Sequence, residues 1–457
     1  MNIDSKIAKC SLFRFCQFAR GTDLFKHLHN LDKTQWLSNK EIEEVQWTKL
    51  KKLLDYAYQN VPFYKKILNN IGLTPNDVCA REDFRRLPLL DKESIEFNIS
   101  NITSMDYDAR DLIENSTGGS TGRNLHFFND KRRLGIRGSV VIRGNRWAGL
   151  DIGTNHAYLW GSPFDTSLED TLKNKMYNKM VGCNLFLSSY DLSEKTAFSY
   201  AKKIQQYKPD VLIGYPSPLY FFAKYLNDNK IRSIHPKSII SSAEVLYDYQ
   251  RELIEFVFGC KVFNRYGCRE FSAIAQECSE HSGLHINAEH VYVECLKENG
   301  EIAAPGEPGE LVVTDLDNYG MPFIRYRIGD RGILSDRKCN CGRGLPIMEQ
   351  VEGRTFDIIV GTNGRNLGGT FWTLLLRTAV KGIKQFQVMQ ESHNQINIKI
   401  VVDDLFKAEN LNILNKKIHE YCGEDMNVSF EFVDKIPLTR SGKFRFVISK
   451  VIPSISV

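Results

Sequence analysis

Ser116-Thr117-Gly118-Gly119-Ser120-Thr121-Gly122 is an unbroken run of small and hydroxyl-bearing residues that can fold closely around an anion. Its glycines permit backbone conformations closed to other residues, and its hydroxyls and freed N–H groups are neutral donors suited to phosphate oxygens. A nucleotide triphosphate is the guest this predicts. The run lacks the Lys-Ser/Thr ending of the G-x-x-x-x-G-K-[ST] phosphate loop, and no strand bearing G-x-G-x-x-G precedes it, so the two commonest nucleotide folds are disfavoured. A Ser/Gly run is also what a plain flexible connection looks like, so its meaning depends on what surrounds it.

Downstream, strand and helix patterns alternate. Strands are expected over Ala157 to Trp160, Val211 to Gly214, Ser238 to Ser241 and Lys261 to Tyr266, with helices near 193–207, 218–228 and 246–258 between them. Such alternation builds a mainly parallel sheet covered by helices. Ligands in open sheets of this type lie beyond the carboxyl ends of the strands, where Gly214-Tyr215-Pro216 and Tyr266-Gly267 fall. Between 285 and 335 the texture changes to short strands with hairpin signals at Asn299-Gly300 and Pro305-Gly306, which predicts a β subdomain. After Gly353-Arg354 the chain restarts with a strand at Phe356 to Val360, a helix near 370–380, and two more strands separated by a helix near 407–421. The expected division is an N-terminal helical region (1–70), a body (71–353) and a C-terminal α+β lid (354–457).

Upstream, Trp47, Leu50, Leu53, Leu54, Ala57 and Tyr58 recur at helical spacing up to Pro62, the pattern of a packed amphipathic helix. Residues 6 to 20 interleave Lys6, Lys9, Arg14 and Arg20 with Leu12, Phe13, Phe15 and Phe18. A basic, aromatic helix of this kind either packs on the body of the protein or lies on an anionic membrane surface. The 457 residues are 42% hydrophobic and 25% charged, within the range of globular proteins, and the net charge of +5 arises from 60 basic and 55 acidic residues well mixed along the chain. Nucleic acid is therefore not an expected partner. No apolar run reaches the roughly eighteen residues that span a bilayer, so no integral membrane association is expected. The eleven cysteines are scattered without a secretory leader, which points to reduced thiols in a cytoplasm.

The motif order decides among these readings. The hydroxyl-rich run is followed by Tyr266-Gly267-Cys268-Arg269-Glu270, Tyr326-Arg327-Ile328-Gly329-Asp330, Gly353-Arg354 and Ser441-Gly442-Lys443. This order resembles the adenylate-forming superfamily of acyl-CoA synthetases and luciferases. Asn60-Val61-Pro62-Phe63-Tyr64 and Cys339-Asn340-Cys341-Gly342-Arg343 resemble the phenylacetate-CoA ligase family more narrowly. The resemblance implies an α/β fold with a large N-terminal adenylate-forming domain of mainly parallel sheets and a β subdomain, plus a small mobile α+β C-terminal lid. It also implies a two-step reaction: a carboxylate attacks the α-phosphate of ATP to give acyl-AMP and pyrophosphate, and an acceptor then displaces AMP.

By the same resemblance, Ser116, Thr117, Gly118, Gly119, Ser120, Thr121 and Gly122 cradle the β and γ phosphates, and Glu270 holds Mg²⁺, a hard ion that prefers carboxylate oxygens. Tyr266 lies against adenine, with Gly267 and Arg269 beside it, Asp330 accepts the ribose hydroxyls, and Arg354 contacts the nucleotide near the hinge. Lys443 is carried by the lid to the substrate carboxylate and the α-phosphate, where it offsets two anions that would otherwise repel. Two departures from the family pattern bear on the acceptor. Phe356 stands where an aspartate is expected, and the segment from Gly361 to Gly369 lacks the usual turn of the thioester-forming ligases. With Arg269, they resemble the branch associated with capsular polysaccharide biosynthesis. Coenzyme A, a carrier-protein thiol and a sugar amine or hydroxyl stay open as acceptors. The acid is a small carboxylic acid that Trp160, Phe164, Tyr215, Tyr220 and Ala243 would wall, and their aromatic content would accept a ring. The competing reading is a non-catalytic nucleotide-binding relative, against which Glu270 and Lys443 argue because a simple binder needs neither.

Cys278, His281, His285, Cys339 and Cys341 form a second constellation. Thiolate and imidazole ligands suit a tetrahedral structural Zn²⁺, with Cys278, His285, Cys339 and Cys341 the expected set and His281 the alternate. Cys-x-Cys is tighter than the usual Cys-x-x-Cys, so unligated thiols in a turn are the other reading.

Overall fold

The computed structural model describes residues 11, 13–14, 17, 22–117, 125–160, 184–189, 191–246, 248–297, 299–351, 359–367, 371–372, 375–376, 380–436 and 447–451. Most of the basic aromatic segment 6–20, Gly118 to Gly122, Phe164, Gly353 to Asp357, Gly368 and Gly369, and Ser441 to Lys443 lie outside the described residues. The chain forms two compact units. One comprises Met1–Ser116, Leu125–Thr154 and Phe263–Arg354, and the other Thr117–Asn124, Asn155–Val262 and Thr355–Val457.

In the first unit, the helix Asn39–Asn60 begins at a capping box. The Glu41 backbone N–H donates to the Ser38 hydroxyl at 3.3 Å and the Ser38 N–H to the Glu41 carboxylate at 2.8 Å. The helix Pro62–Asn70 follows at once, with proline at the first turn where its missing N–H costs nothing. Leu50, Leu53, Leu54 and Ala57 enter a core with Ile274, Leu311, Val313 and Tyr326. Each such buried aliphatic side chain contributes about 1.5–3 kcal/mol. Gln46 fixes the helix against the sheet by donating to the carbonyls of Ala288 and Val291 at 3.1 and 2.9 Å.

That sheet runs in the order Val291–Leu296, Pro308–Asp315, Tyr326–Ser335, Ile347–Val351, Leu284–Ile286, Ser272–Glu277, Lys261–Cys268. All six neighbouring pairs of these seven strands are antiparallel. The hairpin signals fall on turns as expected, with Gly300 and Gly306 both at φ +86°.

The parallel pairing expected from the strand and helix alternation occurs in the second unit. His156–Trp160 pairs in parallel with both Asn184–Ser188 and Val211–Gly214, and the latter with Ser238–Ser242. The intervening helices Glu194–Tyr207, Pro216–Asp228 and Asp248–Phe258 bury Ala197, Ala201, Ile204, Leu219, Phe222 and Ile254 against it. The same unit carries a sheet ordered Asn427–Phe432, Gln395–Val402, Ile383–Ser392, Val447–Ser449. The helix Glu409–Cys422 covers it, packing Leu414, Ile418 and Cys422 on Ile396, Ile398 and Ile400. Two strands therefore precede this helix, where the sequence suggested a strand on either side. Among the described residues, no helix is long and apolar enough to cross a membrane.

Candidate active site

The strand Lys261–Cys268 ends in a turn that sterics dictate. A Cβ on Gly267 would lie 2.0 Å from the Ser272 carbonyl oxygen, so only glycine fits, and Ser272 takes φ +65° as the chain reverses. Tyr266, just before the turn, donates its hydroxyl to Asp330 Oδ2 at 2.9 Å. Two residues assigned to opposite ends of a nucleoside thus meet through their side chains.

Glu270 is only 5% exposed, and Tyr326 donates its hydroxyl to Glu270 Oε1 at 3.1 Å. The Glu270 backbone is fixed by Arg133, a fully buried arginine on the helix Lys131–Trp147 that donates to its carbonyl and to the Asn129 side chain. Arg133 Nε also meets Asp315 Oδ2 at 2.6 Å, which neutralises the guanidinium in the core. The next carbonyl, that of Phe271, lies 3.2 Å from His290 Nε2, and His290 Nδ1 lies 2.9 Å from Asp317. Lys49 completes the chain at 2.8 Å from Asp317. The backbone around Glu270 is thereby held by largely buried groups, and Tyr326 orients its carboxylate.

Burial works against ionising Asp317, but Lys49 and His290 prevail and hold its carboxyl below the usual carboxylate range. A native pKa below the unfolded value of about 3.9 means this stabilisation is complete above that pH and is lost as pH falls through the native value. Asp317→Asn is expected to lower stability at pH 7 by roughly 3 kcal/mol, with the gap to wild type narrowing below about pH 4. Urea unfolding at pH 7 and pH 3 measures both values.

Ser116 ends the strand Leu112–Ser116, opposite His126, and Thr117 is buried. Arg269 is exposed, with its carbonyl accepting from Arg137 at 3.2 Å. Gly118 to Gly122, Arg354 and Lys443 lie outside the described residues. Of the suggested acyl-pocket walls, Trp160 and Tyr215 stack with ring centroids 4.2 Å apart, and Ala243 adopts φ +72°. A non-glycine residue in that conformation marks a constrained site. Arg133, His290 and Asp317 have no role in the sequence reading. A signal existed only for the first: Arg133 and Arg137 are one turn apart on a helix.

Cys278, His285, Cys339 and Cys341 converge, with their donor atoms all within 4.8 Å of one another. Sulfur–sulfur separation between Cys278 and Cys339 is 3.7 Å, and Cys341 Sγ lies 3.2 Å from His285 Nε2. His281 is not in this group; it sits at φ +49° with Nδ1 3.1 Å from the Glu277 carboxylate. His285 Nδ1 faces the Leu345 carbonyl at 3.4 Å, which turns Nε2 toward the sulfurs. Burial pushes the His285 pKa down to about 4, so the ring is neutral and its lone pair available. Burial pushes the Cys278 thiol up to about 12, while the Cys341 N–H and Ser282 hydroxyl counter burial at Cys339 and hold that thiol below its ordinary value. The same turn continues into Arg343, whose guanidinium lies 4.7 Å from the Trp36 ring and 4.8 Å from the Trp147 ring, with Nε donating to Gln35 at 2.9 Å.

Comparison with known proteins follows the same lines. The CapK C-terminal domain family matches residues 361–450. Protein CapK of Staphylococcus aureus is 27% identical over 423 residues, which cover 90% of each chain. The phenylacetate-coenzyme A ligase of Thermus thermophilus is 24% identical over 450 residues, 90% of this chain and 97% of its own. Over 90% of its length the chain is therefore similar to a CapK protein and to a phenylacetate-coenzyme A ligase. The fold of this chain is shared by 2-hydroxyisobutyryl-CoA ligase in its postadenylation state, with a TM-score of 0.61 and 17% identity across 92% of both chains. The same relative in its thioesterification state, bound to an acyl-adenylate and CoA, gives a TM-score of 0.62 and 18% identity across 91% of both.

Proposed function

We propose that this ligase activates a small carboxylic acid with ATP as its acyl-adenylate and passes the acyl group to an acceptor. The observation that carries the reading is the strand end itself. Tyr266 is tied to Asp330, and Glu270 is held by Tyr326 and Arg133, at the motifs whose order matches the adenylate-forming ligases. Glu270 offers hard oxygen in a buried, oriented carboxylate, which fits Mg²⁺, and that ion would supply charge neutralisation to the phosphates. Asp330 would accept the ribose hydroxyls, and Thr117 with its glycine-rich continuation would donate to the phosphate oxygens. Residues 354–457 would act as the lid that brings Lys443 to the reacting carboxylate. Cys278, His285, Cys339 and Cys341 would hold a structural Zn²⁺, since they provide three thiols and an imidazole whose far nitrogen faces the Leu345 carbonyl.

A thiol, coenzyme A or a carrier, is the acceptor that the phenylacetate-coenzyme A ligases suggest by name. The departures at Phe356 and Gly361 to Gly369, which resemble the branch associated with capsular polysaccharide biosynthesis, favour a sugar amine or hydroxyl in cell-surface polysaccharide synthesis. Either route draws on cytoplasmic ATP. Carboxylate-dependent exchange of labelled pyrophosphate into ATP tests the first step. Wild type should exchange with at least one acid of a broad panel, and Glu270→Gln should require more Mg²⁺ for the same rate. No exchange with any acid, while ATP still binds, would instead establish a non-catalytic nucleotide binder.

A further inference from the structure

The helix Lys131–Trp147 directs two arginines, one turn apart, toward the strand end at Cys268 to Glu270. Their situations differ. Arg133 is fully buried and satisfied by Asp315, Asn129 and the Glu270 carbonyl. Arg137 is half-buried and donates one Nη2 hydrogen to the Arg269 carbonyl at 3.2 Å, and among the described residues it forms no ion pair. The nearby carboxylates are committed elsewhere, Asp315 to Arg133 and Glu270 Oε1 to Tyr326.

A guanidinium presents five donors in a rigid fork that matches a carboxylate or phosphate edge, and Arg137 uses one on a neutral carbonyl. Burial, with Arg133 next and Arg269 adding a smaller part, pushes its pKa down to about 10 despite the opposing pull of Asp315. The charged form is thus held in an unfavourable setting that an arriving anion would relieve.

We infer that Arg137 binds a second acidic group of the carboxylic acid substrate, distinct from the carboxylate that is activated, so that this ligase prefers dianionic acids. The inference rests on the acid-activating reading above. Arg137 becomes a specificity residue, and exposed Arg269 adds positive potential beside it.

Calorimetric titration of the AMP-saturated protein with matched acids tests this: succinate against butyrate, glutarate against valerate, and isophthalate against benzoate. Wild type should bind at least one dianion about 10- to 100-fold more tightly than its monoanionic partner. Arg137→Gln should abolish that preference and Arg137→Lys should retain part of it, with AMP affinity, ATP affinity and melting temperature unchanged. The inference is overturned if no pair shows a preference, if the preference survives in Arg137→Gln, or if ATP affinity falls as much as acid affinity. Pyrophosphate exchange separates the two levels. Exchange with a monoanionic acid but no dianion preference overturns only this inference, whereas absence of exchange with ATP bound overturns the adenylation reading.

Discussion

Replacing Lys443 with alanine is expected to lower acid-dependent pyrophosphate exchange by about 10²- to 10³-fold while leaving ATP affinity within a few-fold of wild type. The reason is where charge appears. An anionic carboxylate must approach an anionic phosphate, and the nonbridging oxygens of the α-phosphate gain charge as it does so. A cation that meets both groups only in the reacting geometry stabilises the transition state more than the bound nucleotide, so kcat falls and ground-state binding persists. The second step supplies an internal control. If the lid presents the lysine only for adenylation, preformed acyl-adenylate should still be consumed by Lys443→Ala at near wild-type rate in the presence of acceptor. Equal loss in both steps would show that Lys443 supports the fold or both half-reactions alike.

Removal of metal is expected to have the largest effect on stability. Purified protein should contain one zinc per chain by elemental analysis. Chelation or Cys339→Ser should lower Tm by on the order of 10 °C, because metal bound only by the native state adds its binding energy to folding. Cys79→Ser is the control, since that cysteine is exposed and outside the cluster. Metal-free protein that melts like wild type would mean that the four side chains are an ordinary turn. The geometry favours the metal. A Cys278–Cys339 sulfur separation of 3.7 Å is well beyond a disulfide bond of about 2.05 Å, yet suits two thiolates sharing an ion.

Much of this was legible in the sequence where local pattern and structure share a cause. The strand at Val211–Gly214 and the helices around it follow from short apolar runs and amphipathic spacing, and the turns at Gly300 and Gly306 follow from backbone conformations few other residues adopt. The extent of parallel pairing was not legible. Between Lys261 and Val351 the strands pair antiparallel, and their apolar runs read much the same in either arrangement. The strand pair Ile383–Ser392 and Gln395–Val402 was hidden because the turn between them, at His393-Asn394, carries no glycine or proline to mark it.

At the candidate site, spacing brought the four metal-type donors together on paper, but it could not choose between His281 and His285. That choice depends on a positive φ at His281 and on the distant Leu345 carbonyl. Arg133 escaped notice for a similar reason. Its meaning comes from Asp315, 182 positions away, and no local pattern announces a partner at that distance.

The placement of Arg343 between Trp36 and Trp147 gives the protein an intrinsic optical probe. Both indoles sit against a side chain two positions beyond Cys341, and Trp147 also meets the His285 ring edge-on at 5.6 Å. Occupancy of the cysteine and histidine donors can therefore be followed as a change in tryptophan emission, without label or added dye.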